Sequence, residues 1–215
     1  DLAVGVPGES LVTQAGTVSG AGAVNVIYGS SNGLSATSPR PDQFLAQSNA
    51  GIDGVAELND LFGGSLLAAD FNGDGKDDLA VGVPFESLVT EAGTVSFAGA
   101  VNVIYGSSNG LSDTSTQPDQ FLVQGNAGID DVAEEDDGFG SSIAAGDFNG
   151  DGKDDLAVGA VGEDLFKGAV NVIYGSSNGL SATITLPDQF LVQGNAGIDD
   201  VAEEDDGFGV FDIPF

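Results

Sequence analysis

The chain has no cysteine, no histidine and no methionine, and only 4 Lys plus Arg against 34 Asp plus Glu. Without cysteine, neither a disulfide framework nor a thiolate metal site can form. Without histidine, the commonest general base and the Ser-His-Asp arrangement are lost. The missing methionine predicts a processed product or excised segment rather than a whole translated reading frame. A formal charge of −30 argues against nucleic acid and anionic membranes as partners, because phosphate binding needs clustered Lys and Arg. Cations are the natural partners, and part of the acidity serves solubility. No apolar run reaches the roughly 18 residues of a spanning helix, so no membrane insertion is expected. Glycine, in contrast, is plentiful at 34 residues. That suits turn-dense β structure, since an interior Gly costs a helix about 1 kcal/mol against Ala. At 41% hydrophobic the chain can build a core despite its charge.

The run DFNGDGKDDLAVG occurs at Asp70–Gly82 and again at Asp147–Gly159, and DLAVGVP at Asp1–Pro7 matches its tail. The spacing from Asp1 to Asp78 and from Asp78 to Asp155 is the same, 77 residues. This is a repeat protein, read as an incomplete first blade over 1–61, a second over 62–138 and a third over 139–207. The divergent segment 208–215 follows, as a candidate closing strand for the N-terminal sheet. The second unit carries FESLVTEAGTVSFA where the third has only GEDLFK. That difference is read as a surface loop, where insertions are tolerated.

Four short apolar stretches recur in each full unit: GSLLAAD, LAVGVP, AVNVIYG and QFLVQG. Each is bounded by turn residues and is too short for a globular helix. In the third, Val101, Val103 and Tyr105 alternate onto one face. SSNGL after it carries Asn-Gly, a hairpin signal. The fold class is therefore all-β, about three four-stranded antiparallel units. They fit β-propeller blades, as part of a larger propeller or a ring completed by oligomerisation. An open stack of sheets is the alternative. The first unit supplies only strands two to four.

The acidic loop sits between the first two strands. Oxygen donors fall at alternate positions: Asp70, Asn72, Asp74, the Lys76 carbonyl and Asp78, with Asp147, Asn149, Asp151, the Lys153 carbonyl and Asp155 in the second copy. Gly73 and Gly75 let the backbone fold tightly. Such a set offers the six to eight hard oxygens that Ca²⁺ takes, and suits Mg²⁺ less well. The bidentate Glu that closes an EF-hand is absent, Val81 and Val158 standing there, so this is an EF-hand-like loop in a β-hairpin. Asp1 has only the ninth position of such a loop. A second acidic run, IDDVAEEDDGFG at Ile129–Gly140 and Ile198–Gly209, lacks ordered ligand spacing and is read as a solvated loop, with weak surface cation binding as the alternative. GDGKDD fits neither a dinucleotide loop nor a P-loop. Conspicuous carboxylate pairs recur with the repeat, whereas a catalytic pair is built once. No enzyme activity and no catalytic residue is expected. Tyr28, Tyr105 and Tyr174 are equivalent and read as packing residues.

With these residues in view, the chain resembles the FG-GAP repeat family, found in integrin α-subunit propellers and bacterial surface proteins. The resemblance rests on the pairs Phe62-Gly63, Phe139-Gly140 and Phe208-Gly209, on DFNGDGKDDL, on LAVGVP and on VNVIYGSSNGLS with PDQFL. LAVGAVGE at Leu156–Glu163 departs from it by lacking the proline. The resemblance implies a β-propeller with Ca²⁺ in loops between strands one and two, and a secreted or cell-surface place. It also implies a role in adhesion, recognition or surface structure, with calcium ions and a protein or glycan ligand as partners. About three blades imply either a longer parent propeller or a homo-oligomer. A self-assembling fibre or layer element and an accessory domain of a secreted hydrolase are the alternatives.

Overall fold

The computed structural model describes residues 1–35, 40–49, 51–111, 118–126, 128–181, 186–195 and 197–210. Its architecture is all-β, in propeller-type blades. In the second unit, strands Ser65–Ala69, Asp78–Val83, Ala100–Ile104 and Gln120–Leu122 lie side by side in chain order, each antiparallel to the next. The third unit repeats this with Phe139–Gly146, Asp155–Ala160, Ala169–Ser176 and Gln189–Leu191. The first has Leu2–Val6, Ala23–Ser30 and Gln43–Leu45. Register is conserved: Val101 lies opposite Gly82 and Leu122, as Val24 lies opposite Gly5 and Leu45. No closed sheet forms among the described residues.

Each sheet buries apolar side chains against the next. Val101, Val103 and Tyr105 leave one face and join Phe139, Ile143, Leu156 and Val158 of the third unit in one core. Ala100 and Ile104 leave the opposite face and join Val24, Val26, Tyr28 and Phe62 in another. The middle strands are consequently buried on both faces, so a two-residue alternation in sequence does not become an alternation in burial. Burial of this kind contributes about 25 cal/mol per Å² of apolar surface.

Three local expectations need correction. The inserted segment is not an irregular loop: Leu88–Thr90 pairs with Gly93–Val95, and Leu11–Thr13 with Gly16–Val18. Thr90 Oγ1 donates to the Gly93 carbonyl at 2.8 Å and fixes the turn, a compensation that apolar periodicity does not reveal. In the third unit the shorter segment becomes a tight left-handed turn at Glu163–Phe166, with Asp164, Leu165 and Phe166 at positive φ. Finally, the hairpin after the third strand turns on Ser108 and Asn109, not on Asn-Gly. Ser107 pairs with Gly110, which follows the turn at φ 107°. The Ser107 hydroxyl accepts from Asn109 N and donates to Gly110 O, shifting the turn by one residue.

The units are joined through the Phe-Gly pairs. Phe62 N donates to Ala21 O at 3.0 Å, Phe139 N to Ala98 O at 2.9 Å and Phe208 N to Lys167 O at 2.9 Å. Gly22 and Gly99 form parallel bridges with Phe62 and Phe139. Beside them, a Cβ on Gly5, Gly82 or Gly159 would lie 2.4, 2.2 or 2.1 Å from the carbonyl oxygen of Gly63, Gly140 or Gly209. The glycine of LAVG is thus the close-approach point between neighbouring blades. At the end of the chain, Phe208 and Gly209 dock on the third sheet in the same way, while residues 211–215 of the candidate closing strand lie outside the described residues.

Tyrosine contributes a further clamp, beyond packing. Tyr105 Oη donates to Gln120 Oε1. Gln120 then reaches into the third unit, donating from Nε2 to Leu180 O at 2.9 Å and accepting from Leu180 N at 3.0 Å. Tyr28 and Gln43 hold Leu111 likewise.

Gly82→Ala should destabilise the chain by about 1–3 kcal/mol, the usual cost of forcing an atom into a packed site. Gly8→Ala, which meets nothing within 4 Å, should stay within about 0.5 kcal/mol. Thermal melts of the two variants check the pair; equal melting would contradict the close approach.

Candidate metal centre

The two acidic loops fold alike, through hydrogen bonds that their own sequence supplies. Asp70 Oδ1 accepts from Gly73 N (2.8 Å) and Asp74 N (3.0 Å), and Oδ2 accepts from Gly75 N (2.8 Å). Asp147 does the same for Gly150, Asp151 and Gly152. Asn72 and Asn149 each cap the N–H two residues on, at 2.9 Å, and Asp74 and Asp151 repeat that turn with Lys76 and Lys153. Positive φ at Gly73, Gly75, Gly150 and Gly152 makes the successive turns possible.

Position nine is the buried anchor. Asp78 is 1% exposed and Asp155 is fully buried. Asp78 Oδ1 accepts from Gly106 N (2.8 Å) and Oδ2 from Phe71 N (3.1 Å), tying the loop to the third strand. Asp155 receives Gly175 N and Phe148 N, both at 2.8 Å. Asp1 occupies the equivalent place, accepting from Gly29 N at 2.7 Å. Burial pushes Asp78 up to about 7, with the charges of Asp70 and Asp74 adding to it, and pushes Asp155 up as well. The remaining residues of the set are more open: Asp74, Asp147, Asn149 and Asp151 are exposed, Asp70, Asn72, Lys76 and Lys153 half-buried. The Lys76 ammonium lies 2.8 Å from Asp74 and the Lys153 ammonium 3.4 Å from Asp151. Exposed pairs of this kind contribute about 0–1 kcal/mol.

The donor set is entirely oxygen, preordered by the loop and backed by a buried carboxylate, which fits Ca²⁺ chemistry. Asp70, Asn72, Asp74, the Lys76 carbonyl and Asp78 would hold one ion, and their counterparts Asp147 to Asp155 a second. An ion there would neutralise carboxylates that burial and mutual repulsion otherwise disfavour.

Sequence reasoning missed a different acidic site. Among the described residues, the group of three carboxylates whose oxygens lie within 4.8 Å of one another is Glu134, Asp137 and Glu163. The run read as a solvated loop is therefore wrong in part. Glu134, Glu135 and Asp136 are exposed, but Asp137 is 2% exposed and its counterpart Asp60 is buried as well. Burial pushes Asp60 and Asp137 up to about 6, Glu86 up to about 7 and Glu163 up to about 8. The only signal in the sequence is the recurrence of Asp two residues before Phe-Gly.

Residues 62–101 and 139–175 match the FG-GAP repeat profile. The chain is 34% identical over 181 residues to phosphatidylinositol-glycan-specific phospholipase D of Bos taurus, covering 83% of this chain and 19% of that protein. It is 31% identical over 133 residues to integrin alpha-4 of Xenopus laevis, covering 61% of this chain and 11% of the integrin. Integrin alpha pat-2 of Caenorhabditis elegans is 35% identical over 166 residues, 70% of this chain and 13% of that protein. The chain thus spans less than a fifth of the length of these relatives.

In chelator, the stability of the folded chain should fall as pH rises from about 5 to 8. The carboxyls of Asp60, Asp78, Glu86, Asp137 and Glu163 sit at about 6 to 8 when folded, above ordinary values of 3.8 and 4.5. The folded state therefore binds more protons across that window, and the stabilisation is lost as pH passes the folded values. Melting midpoints should drop at about 2–4 °C per kcal/mol for a chain this size. A flat or rising profile would contradict the buried carboxyls.

Proposed function

The chain carries FG-GAP repeats, at 62–101 and 139–175, and we propose that it is a calcium-stabilised recognition module of a secreted or cell-surface protein. The observation that carries this reading is the acidic loop. Two copies close through the same set of hydrogen bonds and end on a buried aspartate. Calcium in these loops is structural. It joins the first strand to the second and, through Asp78 and Asp155, to the third. The two loops are also in contact, with Asp154 N donating to Asp70 O at 3.1 Å and Asp70 N to Asp154 Oδ2 at 3.1 Å. Ion binding to one blade thereby steadies the next. Affinity falls in the weak extracellular range, on the order of 10⁻⁴–10⁻³ M.

Likeness to integrin alpha-4 supports a role in adhesion or recognition, with a protein or glycan as ligand. Likeness to a phosphatidylinositol-glycan-specific phospholipase D favours a second reading, an accessory module of a larger secreted hydrolase. In either setting the segment itself is not catalytic: histidine is absent and its carboxylate sets recur with the repeat.

Calcium should raise the melting temperature by mass action, with about 2.7 kcal/mol per site at one hundred times Kd. Asp74→Asn together with Asp151→Asn should weaken calorimetric Ca²⁺ binding on the order of tenfold, by lowering ligand charge, and leave melting in chelator nearly unchanged. Melting indifferent to Ca²⁺ and chelator would overturn the proposal.

A further inference from the structure

The loop sites lie at the start of the second strand, and the cluster of Glu134, Asp137 and Glu163 lies past its end. Strand Asp155–Ala160 separates the two by about 20 Å, at ~3.3 Å per residue. The cluster draws on two blades. Asp137 and Glu134 come from the segment leading into the third unit's first strand, while Glu163 follows that unit's second strand. Gln124 comes from the end of the second unit's last strand.

Three carboxylates this close repel one another, and two of them, Asp137 and Glu163, are buried. No Lys or Arg forms an ion pair with them among the described residues. The independent sign of a missing ligand is Gln124. It is 3% exposed, and its Nε2 lies 3.2 Å from Glu163 Oε2. Its Oε1, on the same amide, is buried with no hydrogen-bond partner. An amide oxygen without a donor, set against a trio of carboxylates without a cation, is the donor chemistry of a hard divalent ion.

We infer that Glu134, Asp137, Glu163 and Gln124 form a second class of Ca²⁺ site, a clasp between the second and third blades distinct from the loop sites. Asp137 keeps its place by accepting from Glu134 N through Oδ2. Glu163 is held by its backbone, whose carbonyl accepts from Gly168 N at 3.0 Å. The first junction carries the same residue types. Gln47 Nε2 lies 2.5 Å from Glu86 Oε2, Asp60 and Glu57 stand beside them, and Gln47 Oε1 is again unpartnered. Among the described residues, however, it is the second junction that brings three carboxylate oxygens within 4.8 Å of one another, and the site is assigned there.

The rival account is a proton shared between Glu163 and Asp131, which are hydrogen-bonded. Calorimetric titration of the full chain with Ca²⁺ at about 0.15 M salt, where the general surface field is screened, separates them. Glu163→Gln should bind one Ca²⁺ fewer per chain than the unmodified protein, with the loop sites intact. Asp147→Asn with Asp151→Asn should lose a loop site and keep the junction site, so failure of either class is told apart. If Glu163→Gln binds as many ions as the unmodified chain, the clasp is overturned. Should that variant fail to fold, Mn²⁺ added to the unmodified, metal-stripped chain gives a second measurement. It should broaden the amide resonances of Glu134 and Asp137 as strongly as those of the loop residues, beyond the weak effect of a loop ion about 20 Å away. Broadening confined to the loops would overturn the clasp.

Discussion

Backbone meets backbone at each junction between sheets, and the rest of the molecule is arranged around that contact. The Phe-Gly pair that opens a blade lies on the previous blade close enough for N–H to carbonyl bonding, as between Phe139 and Ala98. Such an approach tolerates no Cβ on Gly82 or Gly99, where one would fall 2.2 Å from a carbonyl oxygen. Phe62 and Phe139 are then wholly buried between two sheets. Because each blade contributes both the slot and the pair that fills the next slot, the contact propagates along the chain. Side-chain clamps reinforce it, with Gln43 and Gln120 bonding both the N–H and the carbonyl of a leucine one blade further on.

Electrostatics opposes this compaction. A formal charge of −30 is drawn together when sheets stack, and several carboxyls enter low-dielectric surroundings, where the charged form is disfavoured. The chain meets the conflict at two levels. At one end of each full blade, the loop carboxylates are met by backbone N–H groups and arranged as an oxygen cage. At the other end, carboxylates from two blades are gathered with a buried amide. Protons relieve both at low pH, and divalent cations can do so at neutral pH. The metal chemistry and the stacking are for this reason parts of one problem.

Much of this was legible in the sequence. The repeated run gave the period, the strand positions and the place of the acidic loops, because a repeat ties residue identity to place. The shared face of Val101, Val103 and Tyr105 was legible too, from their alternation. What stayed hidden depends on contacts between units. Asp137 looks like one more residue in an acidic stretch, and only the fold buries it, against the segment where Gly162 N donates to its carbonyl at 2.9 Å. Glu163 lies 26 residues further on, and spacing along the chain does not announce the meeting. The small glycine of LAVG suits a strand crowded by a neighbouring sheet, but only the fold shows which carbonyl meets it. The Thr90 and Ser107 hydroxyls likewise define turns that hydropathy does not register.

The central claim is that one docking geometry holds every described junction, the Phe208-Gly209 pair included. Amide hydrogen exchange tests it most directly, because Phe62, Phe139 and Phe208 each donate to the preceding blade. All three amides should exchange at rates near the global unfolding limit, far slower than the amides of the exposed turn residues Gly8 and Glu91. Exchange of any one of the three at the rate of those turn amides would contradict the account.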